Sequence, residues 1–271
     1  MPDHHRGNPP PTDALFVPGS AGERVLVHSW MRDGHMQSAW PGDDTVVPPD
    51  GTPIHVKIIN FPIGSVREVH LDTGARTHPH LGYEDVLFYQ IGGRRVQMCE
   101  DETGRLDPGD VSFEPNGVEH STYQLIAGLF VEFALPAPVR PGGRGSWLRA
   151  DQARDVPCAV WSEDGTLRLA DGPDAFWAPA EAQRHVRRVF SFPGHDLIET
   201  VLPASGRTAP RTEIHDTLFY VISGSGSMTI GESAFAVQAG DSLRAPAGTA
   251  YSIAAGDDVT LIQAAARLLP Q

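Results

Sequence analysis

The chain has 271 residues, room for two modest domains or one large one, and carries a formal charge of −13. That acidity is spread along the chain; it repels phosphate backbones and excludes nucleic acid as a primary partner. No apolar run approaches the ~20 residues that span a bilayer, and two cysteines, Cys99 and Cys158, make no disulfide framework.

Gly (28) and Pro (24) are abundant, and aromatic and β-branched residues fall in short runs between turn signals. No long 3.6-period apolar stripe interrupts them. The expected fold class is all-β, built from many short strands. Residues 1–19 open with a polar, Pro-rich stretch over 1–13, without the apolar core of a secretory signal. They read as a disordered tail, His4 and His5 included, and a soluble cytoplasmic protein is expected. Residues 20–135 read as a first domain, opened by an extension over 20–52. The stretch 136–183 carries PAPVRPGGRG and DGPDAFWAPAEA and reads as a linker with some packed structure, since Trp147, Trp161 and Trp177 fall in it. Residues 184–271 read as a second domain.

The two domains repeat one another. Asp85–Gly93 reads DVLFYQIGG and Asp216–Gly224 reads DTLFYVISG. GDVSFEPNG begins at Gly109 and GDSLRAPAG at Gly240, while Phe61-Pro62 recurs as Phe192-Pro193. Each pair is 131 positions apart, an ungapped match held over three separate segments. The chain therefore holds two copies of one unit of short strands ending at glycine turns.

The first copy carries a group of metal-binding residue types. His78, His80 and Glu84 form H-x-H-x3-E, and their even spacing lets them share one face of a strand. Downstream, Gly109, Pro115, Gly117 and His120 form G-x5-P-x-G-x2-H. Three imidazoles and one carboxylate make a mixed N/O site for a divalent first-row metal. On a six-coordinate ion they leave two positions open, as a catalytic site requires.

These two patterns, in this order, resemble the signature of the cupin superfamily. The resemblance implies two tandem cupin barrels (double-stranded β-helix, or jelly roll), with His78, His80, Glu84 and His120 converging on one metal ion inside the first. It also implies pairing of barrel edges into a homodimer. The run HPHLGYE to Gly92 is similar to that of pirins, which carry a further carboxylate two residues after the last histidine. Thr122 stands there, which leaves Glu84 as the carboxylate ligand. The second motif is closer to quercetinase-like dioxygenase cupins.

The 131-residue offset maps His78 to Ala209, His80 to Arg211, Glu84 to His215 and His120 to Tyr251. A guanidinium stays protonated and cannot coordinate a metal. No metal is expected in the second barrel, where Arg211, His215 and Tyr251 form either a hydrogen-bonded plug or a pocket for an anion. In the first barrel Phe88, Gln90, Gln97 and Tyr123 flank the ligands as barrel filling or cavity lining. Glu114 and Glu119 read as exposed glutamates, with support of the metal ligands or acid/base chemistry as the alternative, and Cys99 as a buried small residue.

The expected function is a non-haem Fe(II) dioxygenase. Its substrate would be a small aromatic or enol/diketone-type compound, bound with O2 at the two open positions. By resemblance to quercetinase-like cupins, Glu84 leaves the metal and acts as general base. One alternative is an isomerase, decarboxylase or lyase in which Mn, Ni, Co or Zn serves as Lewis acid. Another is a pirin-like, non-enzymatic metal-binding regulator.

Overall fold

Runs such as DVLFYQ and VSFE, rich in β-branched and aromatic residues and closed by glycine turns, fold as strands throughout. The structure is a computed structural model. It describes residues 12–21, 24–30, 36–38, 52–77, 79–81, 84–100, 102–136, 145–155, 160–161, 167–168, 176–177 and 186–266. In chain order the strands begin with β1 (Phe16–Val17), β2 (Arg24–Trp30), β3 (Met36–Ser38), β4 (Thr52–Phe61), β5 (Gly64–Leu71) and β6 (His80–Leu81). Next come β7 (Asp85–Gln90), β8 (Arg94–Cys99), β9 (Glu102–Leu106), β10 (Val111–Glu114), β11 (Glu119–Ile126), β12 (Gly128–Leu135) and β13 (Ser146–Leu148). Short strands follow: β14 (Arg154–Asp155), β15 (Val160–Trp161), β16 (Leu167–Arg168) and β17 (Phe176–Trp177). The chain continues with β18 (Val186–Phe192), β19 (His195–Leu202), β20 (Arg207–Thr208), β21 (Arg211–Thr212) and β22 (Thr217–Ser223). It closes with β23 (Ser225–Ile230), β24 (Ser233–Gln238), β25 (Ser242–Ala245), β26 (Ala250–Ala255) and β27 (Val259–Ala266).

The chain divides into two units, one built on residues 22–152 and the other on 14–21 together with 153–271. The first unit has an eight-stranded sheet, ordered β13-β10-β7-β12-β5-β4-β2-β3, and a four-stranded sheet, β6-β11-β8-β9. The second has a seven-stranded sheet, β1-β25-β22-β27-β19-β18-β14, and a sheet ordered β17-β20-β26-β23-β24 with β21 also on β26. Both units are jelly-roll barrels of antiparallel strands, in agreement with the expected fold class. Phe16–Val17, inside the segment expected to be a tail, is a strand on β25. Ser146–Leu148, inside the expected linker, pairs with β10, and Trp147 lies so close to Gly104 that an added Cβ would sit 2.4 Å from its ring.

The duplication extends to single hydrogen bonds. Asp85 Oδ1 accepts from the Asn116 amide at 2.8 Å, and Asp216 Oδ1 from the Ala247 amide at 2.8 Å. Asp110 Oδ2 accepts from the Asp107 amide at 2.9 Å, and Asp241 Oδ2 from the Gln238 amide at 2.8 Å. Gly93 and Gly224 both have positive φ (75° and 80°), and an added Cβ would meet a backbone carbonyl oxygen at 2.5 Å and 2.0 Å. These shared devices fix the turns that aim the barrel strands. Among the described residues no helix is long and apolar enough to cross a membrane.

Candidate metal centre

Strand parity decides which side chains enter the first barrel. On β8 and β11 the inward residues are Arg95, Gln97 and Cys99 against His120, Thr122 and Gln124, paired as His120 with Cys99, Thr122 with Gln97 and Gln124 with Arg95. Ser112 on β10 and Glu132 on β12 flank Phe88 of β7, and Glu114 flanks Val86. Apolar residues Val69, Leu71, Val86, Phe88 and Phe130 complete the interior. Tyr123, expected beside the ligands, has the opposite parity to His120 and is 38% exposed, so it faces away from the interior.

Of the four expected ligands, His78 lies outside the described residues, and His80 is described through its backbone. That backbone stands directly opposite His120 in the β6–β11 register, the pairing the two motifs require. His120 is buried, with Nδ1 3.0 Å from the Val118 carbonyl oxygen. A carbonyl only accepts, so the neutral ring carries its proton on Nδ1 and presents a lone pair at Nε2. Glu84 takes another position: its carboxylate is ion-paired with Arg67 Nη2, and its side chain is 32% exposed. Cys158 lies outside the described residues. Cys99 is buried as expected, and burial together with Glu114 pushes its thiol up to about 12, leaving it inert at neutral pH.

The expectation of an exposed Glu114 is overturned. Its side chain is 1% exposed, because the even parity it shares with Ser112 turns it inward, whereas Glu119 is exposed as expected. Glu114 Oε1 accepts a hydrogen bond from Gln97 Nε2, and Gln97 Nε2 also donates to the Ser121 carbonyl at 3.2 Å. Gln97 Oε1 accepts from Arg95 Nη1 at 2.8 Å and from Thr122 Oγ1 at 2.6 Å, which fixes the amide's orientation. Arg95 itself is fully buried. It is stacked on Phe88 and Phe130 at 4.7 and 4.2 Å and donates to Ser112 Oγ at 3.0 Å. Burial lowers its pKa to about 10, still high enough to keep it charged at neutral pH. Glu132, 3.7 Å from Arg67, has a raised pKa because burial outweighs the nearby guanidiniums. Burial opposes a charge on His120, but Glu114 beside it prevails, and the ring's pKa lies above its usual value.

Glu114 Oε2 approaches His120 Nε2 to 2.9 Å, and among the described residues it receives no hydrogen bond of good geometry. An imidazole lone pair beside a buried, unsatisfied carboxylate oxygen is a donor set that suits a divalent cation. Among the described residues no group of three or more His, Cys, Asp or Glu side chains forms a metal cage; the His78 and His80 side chains are outside that set.

In the second barrel the register is the same, with Arg211 opposite Tyr251 as His80 stands opposite His120. Arg211 is ion-paired with Glu213, to which the Tyr251 hydroxyl donates at 3.4 Å, and Gln263 Nε2 donates to Tyr251 Oη at 3.2 Å. The guanidinium already has its counter-charge, which fits a hydrogen-bonded plug.

Two duplicated jelly-roll barrels define the class of protein by its fold, that of the tandem cupin barrels. The family model described as "Cupin domain" matches residues 198–262, within the second unit. The chain is similar in structure to AerE from Microcystis aeruginosa (TM-score 0.62, 10% identity, covering 79% of this chain and 92% of that one). It is also similar to protein Ylba from E. coli (TM-score 0.61, 14% identity, 92% and 91% covered). A third likeness is to oxalate decarboxylase from Bacillus subtilis at pH 4.6 (TM-score 0.63, 12% identity, 98% and 79% covered). At these identities the likeness shows the fold. Among curated proteins, none matches the sequence.

Proposed function

We propose that the chain is a metal-dependent enzyme whose reaction takes place in the first barrel, a non-haem Fe(II) dioxygenase acting on a small aromatic or enol/diketone-type compound. The observation that carries this reading is the charged interior of that barrel. Among the described residues, Arg67 and Arg95 face Glu84, Glu114 and Glu132, an excess of one negative charge around a histidine lone pair. A domain that served architecture alone would avoid the cost of burying these groups.

His78, His80 and His120 with a carboxylate would hold the ion, which when bound would supply orientation of substrate and O2 and stabilisation of developing negative charge. Glu84, partly exposed and held by Arg67, takes the substrate's proton as the general base. Phe88 and Phe130 exclude water from the interior and keep Arg95 in place. A second reading keeps the metal but consumes no oxygen. The fold likeness to oxalate decarboxylase favours it as a Lewis-acid decarboxylase, isomerase or lyase.

Metal analysis of protein purified without oxygen and without a histidine tag, followed by oxygen uptake with phenols and diketones, separates the readings. About one iron per chain and substrate-dependent uptake are expected, both abolished in His80→Ala. Full activity in that variant sinks the proposal. Turnover without uptake moves the enzyme to the second reading.

A further inference from the structure

The first barrel contains two glutamates that could complete the site, and their surroundings differ. Glu84 is 32% exposed, and its carboxylate is engaged by Arg67. Glu114 is 1% exposed, its Oε1 is fixed by Gln97, and its Oε2, 2.9 Å from His120 Nε2, has no hydrogen-bond donor of good geometry among the described residues. An unsatisfied buried carboxylate oxygen is costly and persists where something else binds it. The second barrel places Ala245 at the same register position, opposite Thr217 as Glu114 is opposite Val86.

We propose that Glu114, and not Glu84, is the carboxylate that binds the metal ion beside His120. The assignment rests on the reading of the first barrel as a metal site. Adjacent ligands on an octahedral ion with bonds of ~2.1 Å stand ~3.0 Å apart. The His120 Nε2 to Glu114 Oε2 separation is 2.9 Å, within the range of two ligands on a shared ion. The remaining atoms agree. His120 Nδ1 is anchored on the Val118 carbonyl, so Nε2 faces Glu114 with its lone pair. The chain from Arg95 through Gln97 to Glu114 Oε1 holds the carboxylate by its other oxygen, as ligating carboxylates are generally held. Glu84 is thereby released from ligation and left with Arg67 beside it.

The test is calorimetric titration of Co2+ into the metal-stripped, untagged full chain, with the Co2+ absorption spectrum as a second readout. Wild type, Glu114→Gln and Glu84→Gln are compared. Partners one step removed from a metal shift its affinity by ~10–100-fold, so loss of a ligand should cost at least about tenfold. Glu114→Gln should weaken Co2+ by that much or more and change the spectrum, while Glu84→Gln stays within about threefold of wild type with an unchanged spectrum. Glu114→Gln binding like wild type, or Glu84→Gln losing the ion instead, overturns the assignment. If Glu114→Gln fails to fold, Glu114→Asp decides, since its shorter carboxylate shifts the spectrum only if residue 114 is a ligand. Wild type that binds Co2+ through Glu114 but takes up no oxygen sinks the oxygenase and leaves this assignment standing. Oxygen uptake with a Co2+ site indifferent to Glu114 does the reverse. Wild type that binds no Co2+ removes the metal site and the assignment together.

Discussion

Gln97 and Met228 occupy one place in the duplicated register, and so do Ser112 and Leu243, Glu114 and Ala245, Thr122 and Ile253, and Gln124 and Ala255. The first member of each pair is polar and buried; the second belongs to a continuous apolar core with Phe219, Val221 and Leu261. Outside the interior the barrels agree, from the aspartates that hold the turns to the ion pair of Lys57 with Glu68, which recurs as Arg188 with Glu199. One architecture therefore folds around either filling. The apolar filling is the cheaper, so the charged one is retained for what it does.

The comparison can be tested at sites where the barrels differ and at sites where they match. Arg95→Met should have the largest effect. It removes a fully buried guanidinium, leaves Ser112 without its donor and Gln97 Oε1 with Thr122 alone, and takes a positive charge from beside Glu114 and Glu132. A loss of about 3–5 kcal/mol is expected in urea denaturation; a neutral result would mean that the network is not rigid. Next, Asp85→Ala and Asp216→Ala should each cost about 1–3 kcal/mol, since each aspartate accepts a backbone amide at the matching turn. Asp216 also pairs with Arg244, where the first barrel has Phe113, so its loss should be the larger; no loss at Asp85 would break the claim of a shared scaffold.

The smallest effect concerns acid. The hydrogen bond from Arg94, with Arg105 nearby, holds Asp107 below the usual carboxylate range, whereas the second barrel has Gln238 there. A carboxyl whose folded pKa is depressed adds stability above its unfolded value of ~3.9 and loses it as pH falls through the folded value. Asp107→Gln should slightly flatten the stability profile below about pH 4 and leave it unchanged near neutrality. A changed slope at pH 7 would contradict this assignment.

Much of this architecture was legible in the residues. The fixed 131-residue offset required two barrels in one register, and glycines such as Gly93 and Gly224 survive in both because their backbone φ and the carbonyl beside them admit no side chain. His120 was legible because a spaced motif singles it out, and the register now sets it opposite His80. Glu114 was not, because a lone glutamate before a proline is usually solvated. Its clue lay in the repeat, where a carboxylate in one copy faces an alanine in the other. Tyr123 was misplaced because closeness in sequence to His120 outweighed strand parity. Arg95 gave no local signal, since its burial depends on Phe88, Ser112 and Phe130 arriving from three other strands.

Strand β1 has a bearing on how the chain is made. Phe16 and Val17 lie along Leu243 and Ser242, the Leu15 carbonyl accepts the Arg244 amide at 2.9 Å, and the Gly19 amide reaches Asp241 across 222 positions of sequence. During synthesis this small strand emerges more than 220 residues before β25, and its place is created only once that later strand has been made. The second barrel is thus closed by a segment made long before the strand it pairs with, a contact order that makes its completion a late event. Until then the β25 edge stands open to any other strand that finds it.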